Sequence, residues 1–121
     1  MADRIHFLGF VSDHDLLQLY NACDILAFPS FYEGFGLPVL EAMALGTPVV
    51  TSRESSLPEV AGDAALLIDP YDADDIATAI WTIANDPDLR TELSQRGKLQ
   101  AEKFSVERYR ERVAALYDSL R

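Results

Sequence analysis

Two glutamates separated by seven residues, Glu33 and Glu41, carry the chemistry that the segment FYEGFGLPVLEAMALGTP could perform. Gly34 and Gly36 follow the first glutamate, and glycines let the backbone approach a ligand closely and adopt positive φ. The loop leads into a predicted helix at Pro38, whose first free N–H groups attract anions. Carboxylates accept hydrogen bonds from hydroxyls. This combination is typical of a site for a ligand with both phosphates and hydroxyls, as in a nucleotide sugar.

A plainer interpretation of the same residues stays open at this point. Glu33 can be a solvated loop residue and Glu41 a surface residue of a short helix. Burying an unpaired carboxylate is costly, so Glu41 must meet either water or a specific partner. The loop is not a nucleotide P-loop, because no lysine follows it and its glycine spacing differs.

The elements that must position these residues alternate along the chain. Continuous apolar runs predict strands at 5–9, 25–28, 47–52 and 64–69. Capping residues and apolar periodicity predict helices at 12–23 and 38–45 and a helical turn at 58–61. Three further helices are predicted after these. Asp72 caps the first, the second lies around Leu89 and Leu93, and Ser105 caps the third. The pattern indicates an α/β fold with a mainly parallel sheet covered by helices on both faces. Ligands bind such sheets beyond the carboxyl ends of the strands, where the YEGFG loop is expected.

Charge and composition exclude several classes of function. The formal net charge is −10, with a net −11 over residues 1–85 and +1 over residues 86–121. An acidic body repels phosphate backbones, so no nucleic-acid partner is predicted. The sequence shows no membrane-spanning run and no signal-peptide pattern, and its single cysteine, Cys23, is predicted to pack in the core. These features predict a cytoplasmic protein.

Two longer segments add a family resemblance to this pattern. The run HFLGFVSDHDLLQLYNACDILAFPSFYEGFGLPVLEAMALGTPVVTS and the later run SSLPEVAGDAALLIDP resemble the carboxyl-terminal part of group 1 glycosyltransferases, retaining enzymes of the two-domain GT-B architecture. The resemblance covers nearly all of residues 1–121 and includes the spacing of the two glutamates. It implies that residues 1–121 are part of a nucleotide-sugar (donor) binding domain. That domain would be a Rossmann-like parallel sheet with helices on both faces, here lacking its first two strands.

The resemblance also implies a role for each matching residue. Glu33 matches the glutamate that faces the donor sugar and diphosphate at the reacting centre. Glu41 matches the one that accepts hydrogen bonds from the nucleotide ribose. The amides that hold the sugar hydroxyls and the diphosphate would belong to Gly34, Phe35, Gly36 and Leu37. The implied reaction transfers a sugar from a nucleotide-diphosphate donor with retention, without a further cofactor and without an essential metal.

The sequence also departs from the family pattern in ways that affect function. The family's N-terminal acceptor domain, and the part of the donor domain that carries diphosphate-binding cations, have no counterpart here, so the chain alone is predicted to be inactive. An open sheet edge predicts a homo-oligomer or a complementing chain. Association with the inner membrane face would come through the missing domain. Two alternatives stay open: a non-catalytic binding or self-assembling module derived from this fold, and a fragment without independent function.

Overall fold

From α1 to α4 the helices and strands alternate in the predicted order, and the two ends of the chain differ from the prediction. A computed structural model describes the backbone of residues 2–31 and 36–119 and the side chains of residues 3–31 and 36–104. After a 3₁₀ turn at Ala2–Arg4, the helices are α1 (Asp13–Ala22), α2 (Leu37–Ala44), α3 (Leu57–Ala61), α4 (Ala73–Ala84) and α5 (Pro87–Ser119). The strands are β1 (Leu26–Phe28), β2 (Val49–Ser52) and β3 (Ala65–Ile68). This arrangement confirms the predicted α/β class.

The three strands form one parallel sheet in the order β1-β2-β3. Thr51 of the central strand pairs with Phe28 on one side and with Leu67 on the other. All four residues of β2 are buried, as expected for a strand covered on both faces. The strands run in the same direction, so the loops that follow Phe28, Ser52 and Ile68 meet at one edge of the sheet. We call this the carboxyl edge.

Local capping signals place two helix starts correctly. The Asp15 amide donates to the Ser12 hydroxyl at 3.2 Å, so Ser12 caps α1. The Asp72 carboxylate accepts from the amides of Asp74 (3.0 Å) and Asp75 (3.2 Å), so Asp72 caps α4. A capping side chain satisfies N–H groups that have no partner within the helix, and this stabilises the helix by about 1 kcal/mol.

Apolar side chains form two clusters, one on each face of the sheet. Val49 and Val50 are successive residues of β2 and belong to different clusters, because neighbouring side chains of a strand point to opposite faces. The first cluster lies against α1, α2 and α3, with Ala101 of α5, and its buried members are Tyr20, Val39, Leu40, Ala42, Met43, Val49, Leu57, Val60, Ala64 and Ala101. The second lies against α4 and the first part of α5, with Val50, Ile68, Ala79, Ile83 and Leu93.

The apolar run at 5–9 is not a strand, and the prediction of one there is wrong. Its large side chains are exposed, as is Phe10 directly after it; Phe7 is 96 % and Phe10 97 % exposed. A strand is stabilised by hydrogen bonds to a neighbour, and within the described residues β1 pairs only with β2. Apolar composition alone therefore does not produce a strand here.

The C-terminal helix also differs from the prediction. Instead of two helices with Ser105 as a cap, α5 runs unbroken through Ser105 for 33 residues. No proline interrupts it after its first residue, and its single glycine, Gly97, is tolerated inside the helix. That glycine lets α5 approach α2 closely, because a Cβ at this position would lie 3.4 Å from Cγ of Met43. The prediction that Ser105 caps a separate helix is therefore wrong.

Two further observations concern single residues and helix length. Cys23 is exposed rather than packed in the core, and its thiol donates to the Tyr20 carbonyl at 3.5 Å. Partial desolvation raises the pKa of the Cys23 thiol above its ordinary value.

Among the helices of the described residues, none combines the length and the apolar character needed to cross a membrane.

Candidate functional site

The predicted site lies at the carboxyl edge, where β1 ends and the chain turns towards α2. Glu33, Gly34 and Phe35 were predicted from the sequence to belong to it, and these three residues lie outside the described part of the chain. Their roles stay predictions. The other predicted residues, Gly36, Leu37 and Glu41, are described and can be placed.

Gly36 begins α2 in a conformation that glycine adopts easily. Its backbone has φ 75° and ψ 44°, the left-handed region, and its carbonyl accepts the first helical hydrogen bond, from Leu40 N at 3.1 Å. The position is buried, and a Cβ built on it would lie 2.6 Å from Cδ2 of Leu57 in α3. A glycine is therefore required here both by the backbone angle and by the space available.

Within the described part of the chain, no side chain caps the N-terminus of α2. Gly36 has no side chain to accept from the first N–H groups, whereas Ser12 and Asp72 cap α1 and α4. Leu37 is the first residue of the helix and is half-buried, and Pro38 follows it. Unsatisfied N–H groups and the helix dipole favour an anion at such a terminus.

Glu41 lies in the second turn of α2, half-buried between neighbours that are buried on its own helix. Burial raises the pKa of the Tyr20 phenol on α1, and the negative charge of Glu41 raises it further. The Glu41 carboxylate thus lies within electrostatic reach of Tyr20, near the contact between α1 and α2. It is neither isolated in the apolar core nor fully solvated.

The loops after β2 and β3 are tied together at the same edge. Arg53, just after β2, pairs with the Asp75 carboxylate of α4 at 3.3 Å. The same carboxylate oxygen accepts from the Asp69 amide at 2.8 Å, directly after β3. Apart from Arg4, Arg53 is the only basic residue in the first 85 positions, and its guanidinium is already engaged.

An aromatic contact at this edge was missed in the sequence. The rings of Phe31 and Tyr71 have centroids 4.6 Å apart and planes tilted by 34°. The available signal was position, because each residue comes three places after the end of a strand. Because 39 residues separate the two along the chain, no local sequence pattern indicates the contact.

The described residues contain no group of three or more histidine, cysteine, aspartate or glutamate side chains arranged to hold a metal ion. The sequence prediction of a metal-independent site is not tested by this observation. His6 and His14 are exposed, and the His14 ring is within 3.0 Å of the Gln18 amide.

Comparison with known proteins identifies the family. The family profile described as "Glycosyl transferases group 1" matches residues 1–100. The chain is 52 % identical over 103 residues to the O-antigen chain mannosyltransferase B of Escherichia coli, covering 85 % of this chain and 27 % of that protein. It is 35 % identical over 122 residues to the MMP alpha-(1->4)-mannosyltransferase of Mycolicibacterium hassiacum, covering 98 % and 30 %.

Solved structures give the same result for the fold. Sucrose-phosphate synthase from Thermosynechococcus elongatus superposes with a TM-score of 0.81 at 35 % identity, over 98 % of this chain and 30 % of that one. Anabaena HepE in complex with UDP and glucose superposes with a TM-score of 0.80 at 28 % identity, over 97 % and 32 %. The chain thus spans under a third of the length of these relatives, and the Rossmann-like GT-B fold expected from the sequence is confirmed. The chain belongs to the group 1 family of glycosyl transferases.

Proposed function

We propose that this chain is the donor-binding portion of a glycosyltransferase that transfers a sugar from a nucleotide sugar with retention of anomeric configuration. Glu33 would face the reacting centre, and Glu41 would accept hydrogen bonds from the ribose. The amides of Gly34, Phe35, Gly36 and Leu37 would hold the diphosphate and the sugar hydroxyls. The observation that carries the proposal is the uncapped, glycine-initiated start of α2 at the carboxyl edge, with Glu41 one turn further along the same helix.

The start of α2 supports an anionic ligand on physical grounds. Its first N–H groups point out of the helix, and the left-handed Gly36 that precedes them has no side chain to accept from them. A diphosphate placed there would accept hydrogen bonds from the backbone and gain from the helix dipole. The partial positive charge of one helix is modest, about half an elementary charge.

Glu41 supports the hydroxyl-bearing half of the ligand. A carboxylate accepts a hydrogen bond from a ribose hydroxyl more strongly than a neutral group does. Glu41 is half-buried in the second turn of α2, so part of its side chain stays accessible to a ligand.

The charge balance explains why we propose that this portion alone is inactive. A diphosphate is normally held by Arg or Lys in addition to backbone amides. Arg53 is paired with Asp75, and the body of the chain is strongly acidic. We propose that the remaining cations, and the acceptor site, belong to other parts of the full-length protein.

The proposed reaction is tested with the full-length protein and a panel of nucleotide sugars. Transfer from one donor, followed by NMR of the anomeric centre of the product, should show the configuration of the donor retained. An inverted product would overturn the retaining assignment. No transfer with any donor, from protein that is folded and mixed with a broad set of acceptors, would overturn the enzymatic one.

We expect the Glu41→Gln variant to bind the donor nucleotide about 5- to 30-fold more weakly, because a charge-assisted hydrogen bond becomes a neutral one worth about 1–2 kcal/mol less. Calorimetric titration of the full-length protein with the nucleoside diphosphate that matches its donor measures this change. Glu102→Gln, an exposed glutamate on α5, is the matched control and should bind like the wild type. Unchanged binding in Glu41→Gln would remove Glu41 from the ribose site.

A second candidate function is a non-catalytic module that assembles through an open edge. The exposed apolar side chains of residues 5–10, which include Phe7 and Phe10, favour it, because contiguous exposed apolar groups are typical of interaction surfaces. We expect the isolated chain to self-associate or to bind a complementing chain. Light scattering should then give a mass above that of the monomer as the protein concentration rises. Replacing Phe7 and Phe10 with serine should restore the monomer. A monomer at high concentration without any substitution would contradict the open-edge proposal.

A further inference from the structure

The Phe31–Tyr71 contact joins two loops that are not neighbours in the sheet. Phe31 follows β1, Tyr71 follows β3, and β2 lies between those strands. Neighbouring strands are about 4.8 Å apart, so the outer two are separated by about 10 Å. The two rings nevertheless approach to 4.6 Å between centroids, so they reach towards each other across the end of β2.

The contact does not belong to the core. Phe31 is 57 % and Tyr71 74 % exposed, and neither residue is a member of either buried cluster. Rings that stay in contact with solvent contribute little stability through burial, since the hydrophobic gain is proportional to the area removed from water. Tilted aromatic rings at this separation still attract each other.

The Tyr71 side of the contact stands on a hydrogen-bonded turn. The Tyr71 amide donates to the Asp69 side chain at 2.9 Å. The Asp69 amide donates in turn to Asp75, which also pairs with Arg53 after β2. The turn that carries Tyr71 is therefore fastened both to α4 and to the loop after the central strand.

The Phe31 side marks the point where the chain leaves β1 for α2. The end of β1 is held to β2, because the Thr51 hydroxyl donates to the Phe28 carbonyl at 3.0 Å. At the far end of the same connection, Gly36 is packed against Leu57. Phe31 and Gly36 are thus the two described residues that flank the predicted catalytic glutamate, and each has a specific contact with another element.

We propose that Phe31 and Tyr71 form an aromatic clasp that fixes where the chain leaves the sheet towards α2 and so positions the donor-binding loop. This inference rests on the proposed function, in which the segment between Phe31 and Gly36 holds the donor. The two aromatic residues are positioning residues and need not touch the donor. Without the clasp, the direction in which the chain leaves Phe31 would be fixed less well before binding, and fixing it would oppose binding.

The first test measures the loop itself. Hydrogen exchange of peptides covering residues 29–37 in the full-length protein without ligand should be about two- to tenfold faster in Tyr71→Ala, which matches the strength of an aromatic pair. Tyr71→Phe keeps the ring and should exchange like the wild type. Trp81→Ala removes an equally exposed ring from the other end of α4 and should also leave these peptides unchanged. Unchanged exchange in Tyr71→Ala would overturn the clasp.

The second test asks whether the two rings act together on the donor. Tyr71→Ala and Phe31→Leu should each weaken binding of the donor nucleotide about two- to tenfold, with kcat at saturating donor nearly unchanged. The double variant should be little worse than either single variant, because each removes the same contact. Fully additive losses, or weaker binding with unaltered exchange, would mean that the rings contact the ligand directly, and would overturn the positioning role.

The exchange test and the binding test distinguish a failure of this inference from a failure of the proposed function. A wild-type protein that binds no nucleotide sugar would refute the proposed function, while the exchange measurement would still decide whether the clasp orders residues 29–37. Normal binding that is weakened by Glu41→Gln but unaffected by Tyr71→Ala would keep the proposed function and overturn the clasp.

Discussion

Under the proposed function, replacing Glu33 with glutamine is expected to lower the kcat of the full-length protein by about 10²- to 10³-fold. Under the proposed mechanism the bond between the sugar and the diphosphate breaks while positive charge develops on the sugar ring. A fixed negative charge beside that ring stabilises the transition state more than the ground state, and losing one such group costs rate on this scale. Glutamine keeps the size and shape of the side chain, but it removes the charge and replaces one acceptor oxygen with an NH2 donor. Steady-state kinetics at saturating donor and acceptor measure the loss.

Control measurements show whether the loss of kcat in Glu33→Gln comes from the chemical step or from a change in binding or folding. Glu102→Gln changes an exposed glutamate on α5 in the same way and should leave kcat unchanged. Donor binding and the thermal unfolding midpoint of Glu33→Gln should also stay close to those of the wild type. A kcat within a factor of two of the wild type would remove the charge of Glu33 from the mechanism. An equal fall in kcat and in folded fraction would assign it a structural role instead.

The sequence predicts the elements around the site where their signals are local. Ser12 and Asp72 cap helices because each accepts from amides two or three residues away, and such contacts are encoded in short patterns. The start of α2 follows from Gly36 directly before the helix and Pro38 in its first turn. The buried strands follow from continuous apolar runs that helices cover on both sides.

The predictions fail where structure depends on residues far away. The run at 5–9 has the composition of a strand, but a strand also needs a neighbour to bond with, and composition does not report one. Ser105 resembles a cap, but the helix around it continues, since nothing there stops it. At 5–9 the lack of a pairing partner among the described residues decides the structure, whereas at Ser105 the local sequence is compatible with both a cap and a continuous helix.

In the candidate site, too, the sequence predicts the local features but not the contacts between distant residues. Its glutamates and glycines were recognisable because their chemistry and spacing lie within one short segment. The partners that shape it come from elsewhere: Tyr20 near Glu41, Leu57 against Gly36, and Tyr71 against Phe31. A single sequence shows which groups could bind a ligand, and the fold determines which side chains hold those groups in place.

Gly36 connects the stability of the fold to the geometry of the site, and Gly36→Ala is expected to destabilise the chain by about 2–4 kcal/mol. A left-handed backbone costs a residue with a Cβ about 1 kcal/mol. Its Cβ would also come within 2.6 Å of Cδ2 of Leu57, and a well-packed core resists such overpacking by about 1–3 kcal/mol. Leu57 is fully buried, so its side chain has little room to withdraw. Urea-induced unfolding measures the change as a lower midpoint at constant slope.

Gly46→Ala is the matched control, because it shares the backbone strain but not the rigid neighbour. Gly46 ends α2 with φ 80°, and its added Cβ would meet the side chains of Lys98 and Ser94. Lys98 is exposed and can move aside, and the Ser94 hydroxyl at 2.8 Å can turn to another staggered rotamer, so we expect a loss of only about 1 kcal/mol, mainly from the backbone angle. Combining Gly36→Ala with Leu57→Ala should cost less than the sum of the two single losses, since the smaller side chain makes room for the methyl group. Equal losses at Gly36 and Gly46, with simple additivity in the double variant, would show that only backbone strain acts at Gly36 and that α3 does not set the start of α2.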